Sequence, residues 1–111
     1  FLKKINLRNF KLSFRSKYRA ADIEFKKNSV VPGALFEISK SDEKKLDVYE
    51  DYPILYKKYY FIYYKKKVMT YMMTNKTPFM FPTTRYLNII KQGYKDCNLD
   101  KNYLKKSLKL I

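Results

Sequence analysis

From Leu7 onward apolar and polar residues alternate, with Phe10, Leu12 and Phe14 on one side of the chain and Lys11, Ser13 and Arg15 on the other. That period of two predicts a strand. Residues 16–19 read as a polar connection. A second short strand follows over residues 20–25, where Ala21, Ile23 and Phe25 share a face. Lys26-Lys27-Asn28-Ser29 has the composition of a turn. A third strand covers residues 30–38. Pro32 assigns it to a sheet edge or to the first residues of a strand, and Gly33 marks the close approach of a ligand or another backbone.

Ser39 has the character of a helix N-cap. Asp42 lies three residues later, and Asp42 and Glu43 occupy the first turn, where the helix dipole favours acids. The helix carries Leu46 and ends near Tyr49, and Pro53 stops any continuation. Residues 55–64 read as a strand of aromatics and lysines, residues 65–67 as a charged hairpin turn, and residues 68–74 as the partner strand, with Met69, Tyr71 and Met73 on one face. After a loop over residues 75–82, Thr83 or Thr84 caps a helix over residues 85–96, with Tyr86, Ile89, Ile90 and Gly93 at helical spacing. Asp100 caps a last helix whose apolar stripe is Tyr103, Leu104, Leu108 and Ile111. Five strands, one inserted helix and two C-terminal helices predict an α+β fold built on a mixed, mostly antiparallel, barrel-like β-sheet. With 111 residues, the whole chain, 1–111, is expected to be a single domain.

Charge and composition change this picture in two ways. The net charge is +15, which invites a polyanion partner. The basic residues are nearly all lysine, however, with arginine only at positions 8, 15, 19 and 85. Nucleic-acid surfaces lean on arginine for bidentate contacts, so a compositional bias outweighs the nucleic-acid reading. The chain has one cysteine, Cys97, and no histidine. That removes Ser-His and Cys-His catalysis and most zinc sites, and it leaves carboxylate, Lys, Tyr or Cys for acid–base chemistry. No metal and no cofactor is expected. The longest apolar or aromatic run, Tyr59 to Tyr64, is far too short to span a bilayer, and no signal-peptide core follows the early lysines. The expectation is no membrane association and a reducing cytoplasmic setting.

Glu50 is the first candidate for chemistry, because it sits where the inserted helix runs out towards the tyrosine-rich strand. A carboxylate at such a junction is a candidate general base. Glu37 is a rival acid, but its strand position fits a solvent-facing alternate. Cys97 has basic neighbours and no histidine to activate it, so a packed or idle thiol outweighs a nucleophile.

The order of motifs resembles the gamma-glutamylcyclotransferase-like family. Val31-Pro32-Gly33-Ala34-Leu35-Phe36-Glu37-Ile38 resembles its V-x-G-x-L-[YF]-x-[IL] strand. Leu46-Asp47-Val48-Tyr49-Glu50 resembles its L-D-x-x-E, followed by an aromatic at Tyr56. Thr70-Tyr71-Met72-Met73-Thr74-Asn75 resembles its [ST]-Y-x-x-T-N strand end. Pro82-Thr83-Thr84-Arg85-Tyr86, then Gly93-Tyr94-Lys95 and Tyr103-Leu104, resemble its closing segment. Phe10 to Phe14 and Ala21-Asp22-Ile23 fit as well. The family's opening strand and Tyr-Gly-Ser-Asn-type substrate loop have no counterpart here, so the chain is expected to be N-terminally incomplete. Arg19-Ala20 stands where the family often has glycines.

The resemblance implies cyclisation of a small gamma-glutamyl amine or dipeptide to 5-oxoproline, with release of an amine or amino acid. It implies Glu50 as general acid and base, with Gly33, Tyr56, Tyr71 and Tyr86 contacting substrate. A homodimer is compatible with it. The alternatives are a non-enzymatic small-ligand binding module on the same fold and a basic nucleic-acid-binding protein.

Overall fold

The alternation that opens the chain runs further than its apolar pattern suggests in the computed structural model, which describes residues 3–108. Strand β1, Lys3–Arg15, pairs antiparallel with β2, Ala20–Leu35. The expected turn at residues 26–29 is not a turn. It is an irregularity within one long strand, where the register jumps from Arg8 opposite Val30 to Phe10 opposite Phe25. Asn9 and Asn28 both take positive φ there, and the Asn9 side chain accepts the Asn28 N–H at 3.1 Å. Asparagine tolerates this conformation better than most residues. The ladder therefore resumes beyond the bulge, and two expected strands become one.

Two compact units are formed, Phe1–Glu37 with Thr77–Ile111, and Ile38–Lys76. In the first, one face of the β1–β2 ribbon carries Leu12, Phe14 and Ala21 into the core. Helices α2, Thr84–Asp96, and α3, Lys101–Ser107, supply Leu87, Tyr94 and Leu104. Thr83 caps α2 by accepting the Tyr86 N–H, and Asp100 caps α3 by accepting the Asn102 N–H. Ile89, expected on the buried stripe of α2, is exposed instead; Leu87 and Tyr94 carry the burial. Of the expected α3 stripe, Leu104 is buried and Leu108 packs on the core, whereas Ile111 lies outside the described residues.

The opposite face of the same ribbon is polar and also buried. Arg15 Nε lies 3.1 Å from Asp22 Oδ2, and its NH2 group lies 2.9 Å from Glu24 Oε1. The Nε–Asp22 approach is not aligned as a hydrogen bond, so this part of the pair is held by charge. The Arg15 NH1 group donates to Thr77 O at 2.9 Å, and Met80 N–H donates to Phe14 O at 2.8 Å. The segment around Phe79 thus lies along the end of β1.

The second unit holds helix α1, Lys40–Tyr49, and the antiparallel hairpin of β3, Tyr56–Tyr63, with β4, Lys66–Met73. Tyr64 and Lys65 form the two-residue turn, both at positive φ. Lys66 and Lys67, expected in that turn, belong to β4. The fold is α+β, as expected, but the barrel-like single sheet is not found. Among the described residues there are two antiparallel two-stranded sheets and three helices, with no closed barrel. Alternation fixes which residues share a face, not which strands exchange hydrogen bonds, and here each strand pairs with its neighbour in sequence.

The Arg15–Asp22 pair makes a direct prediction. The side chains are 5% and 0% exposed, so Asp22→Ala leaves a buried guanidinium short of one counter-charge. The expected loss is about 3–5 kcal/mol in urea unfolding, and the double change Arg15→Met with Asp22→Leu costs less than the single one. A single-variant loss within ~0.5 kcal/mol, the range of ordinary surface changes, would refute the pairing.

Candidate active site

The local sequence fixes α1 at both ends. Ser39 Oγ accepts the Asp42 N–H at 3.0 Å and the Asp42 carboxylate accepts the Ser39 N–H at 3.1 Å, a complete capping box. Those bonds hold the Asp42 carboxyl below its ordinary pKa. At the other end Asp51 takes φ of 52°. The Tyr52 N–H then reaches Asp47 O at 2.9 Å, and the Asp51 N–H reaches Val48 O at 3.2 Å. This is a Schellman closure, with Glu50 as the C-cap. The following loop is tied down in turn. Leu55 N–H donates to Asp51 O at 2.8 Å, and the Thr74 N–H and hydroxyl donate to Leu55 O and Ile54 O at 3.0 and 2.9 Å. Thr74, the threonine of the T-N motif, therefore holds the loop that carries the chain away from Glu50.

Between these ends α1 meets the hairpin through charge rather than apolar burial. No residue of the helix is buried, and Val48 and Tyr49 are each 83% exposed. Glu43 and Asp47, one turn apart, both receive Lys58 Nζ, with the Asp47 Oδ2 contact at 3.0 Å. Tyr71, directly opposite Lys58 in the ladder, donates its hydroxyl to Asp47 Oδ1 at 2.6 Å. The Lys58 ammonium also lies 4.5 Å from the Tyr52 ring centroid. Its side chain is only 12% exposed. Lys58 stands next to Lys57 in a lysine pair, and its phase in β3 puts it on the face of Tyr56 and Tyr71.

These contacts separate the two carboxyls of the L-D-x-x-E motif. The Tyr71 hydrogen bond, with help from Lys58, holds Asp47 below the ordinary carboxylate pKa. Glu50 is half-buried, and burial pushes its carboxyl up. Glu43, followed by Asp47, raises Lys58 well above an ordinary lysine, and burial with the Asp47 bond raises Tyr71.

The expected site residues are distributed over both units. Glu50, Tyr56 and Tyr71 lie in the 38–76 unit, and the rings of Tyr56 and Tyr71 meet edge-to-face at 6.3 Å. Tyr56 is buried. In the other unit the Tyr86 hydroxyl accepts the Ala21 N–H at 3.0 Å, which ties α2 to β2. Gly33 pairs with Ile5 in the ladder. A Cβ on Gly33 would meet nothing closer than Ile5 Cγ1 at 3.8 Å, so the expected close approach of another backbone is not present. The rival Glu37 is exposed, and Cys97 is a free thiol at the C-cap of α2. Among the described residues no cluster of His, Cys, Asp and Glu suits a metal ion, and no helix is long and apolar enough to cross a membrane. Compared with models of protein families, with curated proteins and with solved structures, the chain matches none.

The opposed shifts have opposite consequences for stability. Asp47 has a folded pKa below its unfolded value, near 3.8, so its contribution is complete above that pH and is lost as pH falls through the lower folded value. Glu50 has a raised folded pKa, so its ionisation opposes folding as pH climbs from about 4.5 through the raised value. Thermal unfolding of Glu50→Gln should match the parent in acid and exceed it at pH 7. Asp47→Asn should fall below the parent at pH 7, with the gap closing in acid. Parallel curves at all pH values would contradict both assignments.

Proposed function

We propose that the protein is a gamma-glutamylcyclotransferase-like enzyme with Glu50 as its general acid and base. The observation that carries this reading is the half-buried Glu50 carboxyl, pushed towards a higher pKa three residues from an Asp47 held low. Two carboxyls driven apart by their surroundings are a common signature of acid–base division of labour. The motif order from Val31 to Tyr86 supplies the reaction class.

In that reaction the substrate's own alpha-amine attacks its gamma-carbonyl carbon. The nucleophile is tethered, so a bent bound conformer supplies much of the barrier reduction. Glu50 takes one proton from the alpha-ammonium, a C–N bond forms, and an oxyanion develops at the former carbonyl. Collapse breaks the original gamma C–N bond as Glu50 returns the proton to the leaving nitrogen, and the second proton shed by the ring nitrogen leaves with the released amine as its ammonium form. The products are 5-oxoproline and a free amine or amino acid; no water is consumed. A raised carboxyl pKa suits this two-way transfer, because the group must accept and release a proton near neutral pH.

Tyr71 donates its proton to Asp47. Its remaining hydroxyl lone pair is suited to accepting from the substrate ammonium. Tyr56, in the same 38–76 unit, is the further substrate-contacting position of this reading, which needs neither metal nor cofactor.

The test is release of 5-oxoproline from a panel of gamma-glutamyl dipeptides and amines by the full-length protein. Glu50→Gln keeps shape and an acceptor oxygen but cannot carry the proton, so kcat should fall by about 10²–10⁴-fold with KM nearly unchanged. Tyr71→Phe should cost less, since it removes a hydrogen bond and not the proton carrier. Turnover of Glu50→Gln at the parent rate would remove Glu50 from the role. A parent inert across the panel would favour a small-ligand binding module instead.

A further inference from the structure

Lys58 is the cation around which the last turns of α1 are arranged. Its ammonium donates to Glu43 and Asp47 of the helix, and the Tyr71 hydroxyl of β4 donates to the second oxygen of Asp47. Asp47 is committed twice, because its backbone carbonyl also accepts the Tyr52 N–H that closes the helix on Glu50. The side chain thus fixes the helix to the hairpin, and the carbonyl of the same residue fixes the turn that presents Glu50.

Resting on the reading of Glu50 as the acid–base group, we propose that Lys58 is its positioning residue. It anchors the end of α1 through Asp47 and neutralises two carboxylates of the helix that Glu50 caps, of which Asp47 lies one turn before it. The titratable groups around this anchor are Glu43 in the first turn of α1 and Asp47 in its last, Asp51 and Tyr52 next in the chain, Lys58 on β3 and Tyr71 on β4. Three of the six are carboxylates, and Lys58 is the ammonium bonded to two of them. Removing it leaves Glu43 and Asp47 one turn apart with no shared cation. Like charges at that spacing repel and loosen a helix. A carboxyl close to uncompensated negative charge also holds its proton to higher pH.

Positioning of this kind acts on turnover more than on binding. Lys58→Met keeps the length of the stem and removes the charge. It should lower kcat by about 10²-fold, the scale on which a 1 Å misplacement acts, with a small change in KM. The acid limb of kcat/KM should move to higher pH, whereas a purely structural defect lowers activity without moving that limb. Lys58→Arg can still reach both carboxylates and should restore rate and pH profile.

The deciding measurement does not depend on turnover. Carbon-13 carboxyl NMR follows the titration of Glu50 directly, assigned by its disappearance in Glu50→Gln. The Glu50 midpoint should rise in Lys58→Met, return in Lys58→Arg, and fall in Asp47→Asn, where Lys58 keeps its charge and loses one partner. The opposite signs keep the test decisive if any one variant folds poorly. An unchanged Glu50 midpoint in the folded variants overturns the proposal. A shifted midpoint in a protein that turns over no gamma-glutamyl compound retains the coupling and rejects the enzymatic reading.

Discussion

A single partly sheltered ammonium, Lys58, holds α1 against the β3–β4 hairpin. The helix offers little else for attachment, since none of its residues is buried and its apolar side chains point outward. A ten-residue helix is too short to persist alone in water, and an isolated two-stranded hairpin is marginal as well. Each element therefore gains from the other through the bonds at Lys58, Glu43, Asp47 and Tyr71. Drawing an ammonium out of water is costly, and two carboxylates, with an aromatic face at 4.5 Å, offset that cost. Such an arrangement fixes geometry more sharply than it adds stability, because charge-assisted hydrogen bonds are directional.

The helix also breaks a local rule where it ends. Its first turn follows electrostatic preference, with Asp42 and Glu43 at the positive end of the dipole. Its last turn carries no basic residue, and a glutamate occupies the C-cap, where negative charge is disfavoured. Local rules are most often broken where a site requires it. The Schellman closure at Asp51 and the Thr74 bonds to the loop carbonyls keep the chain in place despite this mismatch.

The helix boundaries were legible because their signals are short-range. Ser39 with Asp42, Thr83 and Asp100 are caps whose partners lie two or three residues away. The sheets were harder to read. Residues 26–29 have the composition of a turn, and only the paired asparagines at 9 and 28 reveal that the strand continues through them. The barrel expectation failed because strand partners are chosen over long distances, which alternation does not encode. Alternation sets Arg15 on the polar side of β1 and does not show that this side is buried. A usable signal is present: folding the chain about residues 17 and 18 sets Lys11 opposite Glu24 and Arg15 diagonal to Asp22, and both pairs form. Lys58 stands beside Lys57, and only strand phase separates the partnered side chain from its exposed neighbour. Glu50 was legible as a motif position, but its half-burial was not.

The bulged ribbon has a consequence for how the protein meets its own copies. Among the described residues β2 pairs with a strand on one side only, and a sixteen-residue edge strand is a template for cross-chain pairing. This strand is poorly shaped for that purpose. The bulge at Asn28 interrupts its run, Lys26 and Lys27 place like charges beside it, and Pro32 lacks a donor. At the far end of β1 the segment around Phe79 occupies backbone groups that would otherwise be open. The irregularity at which one strand has the sequence of two therefore also discourages edge-to-edge aggregation.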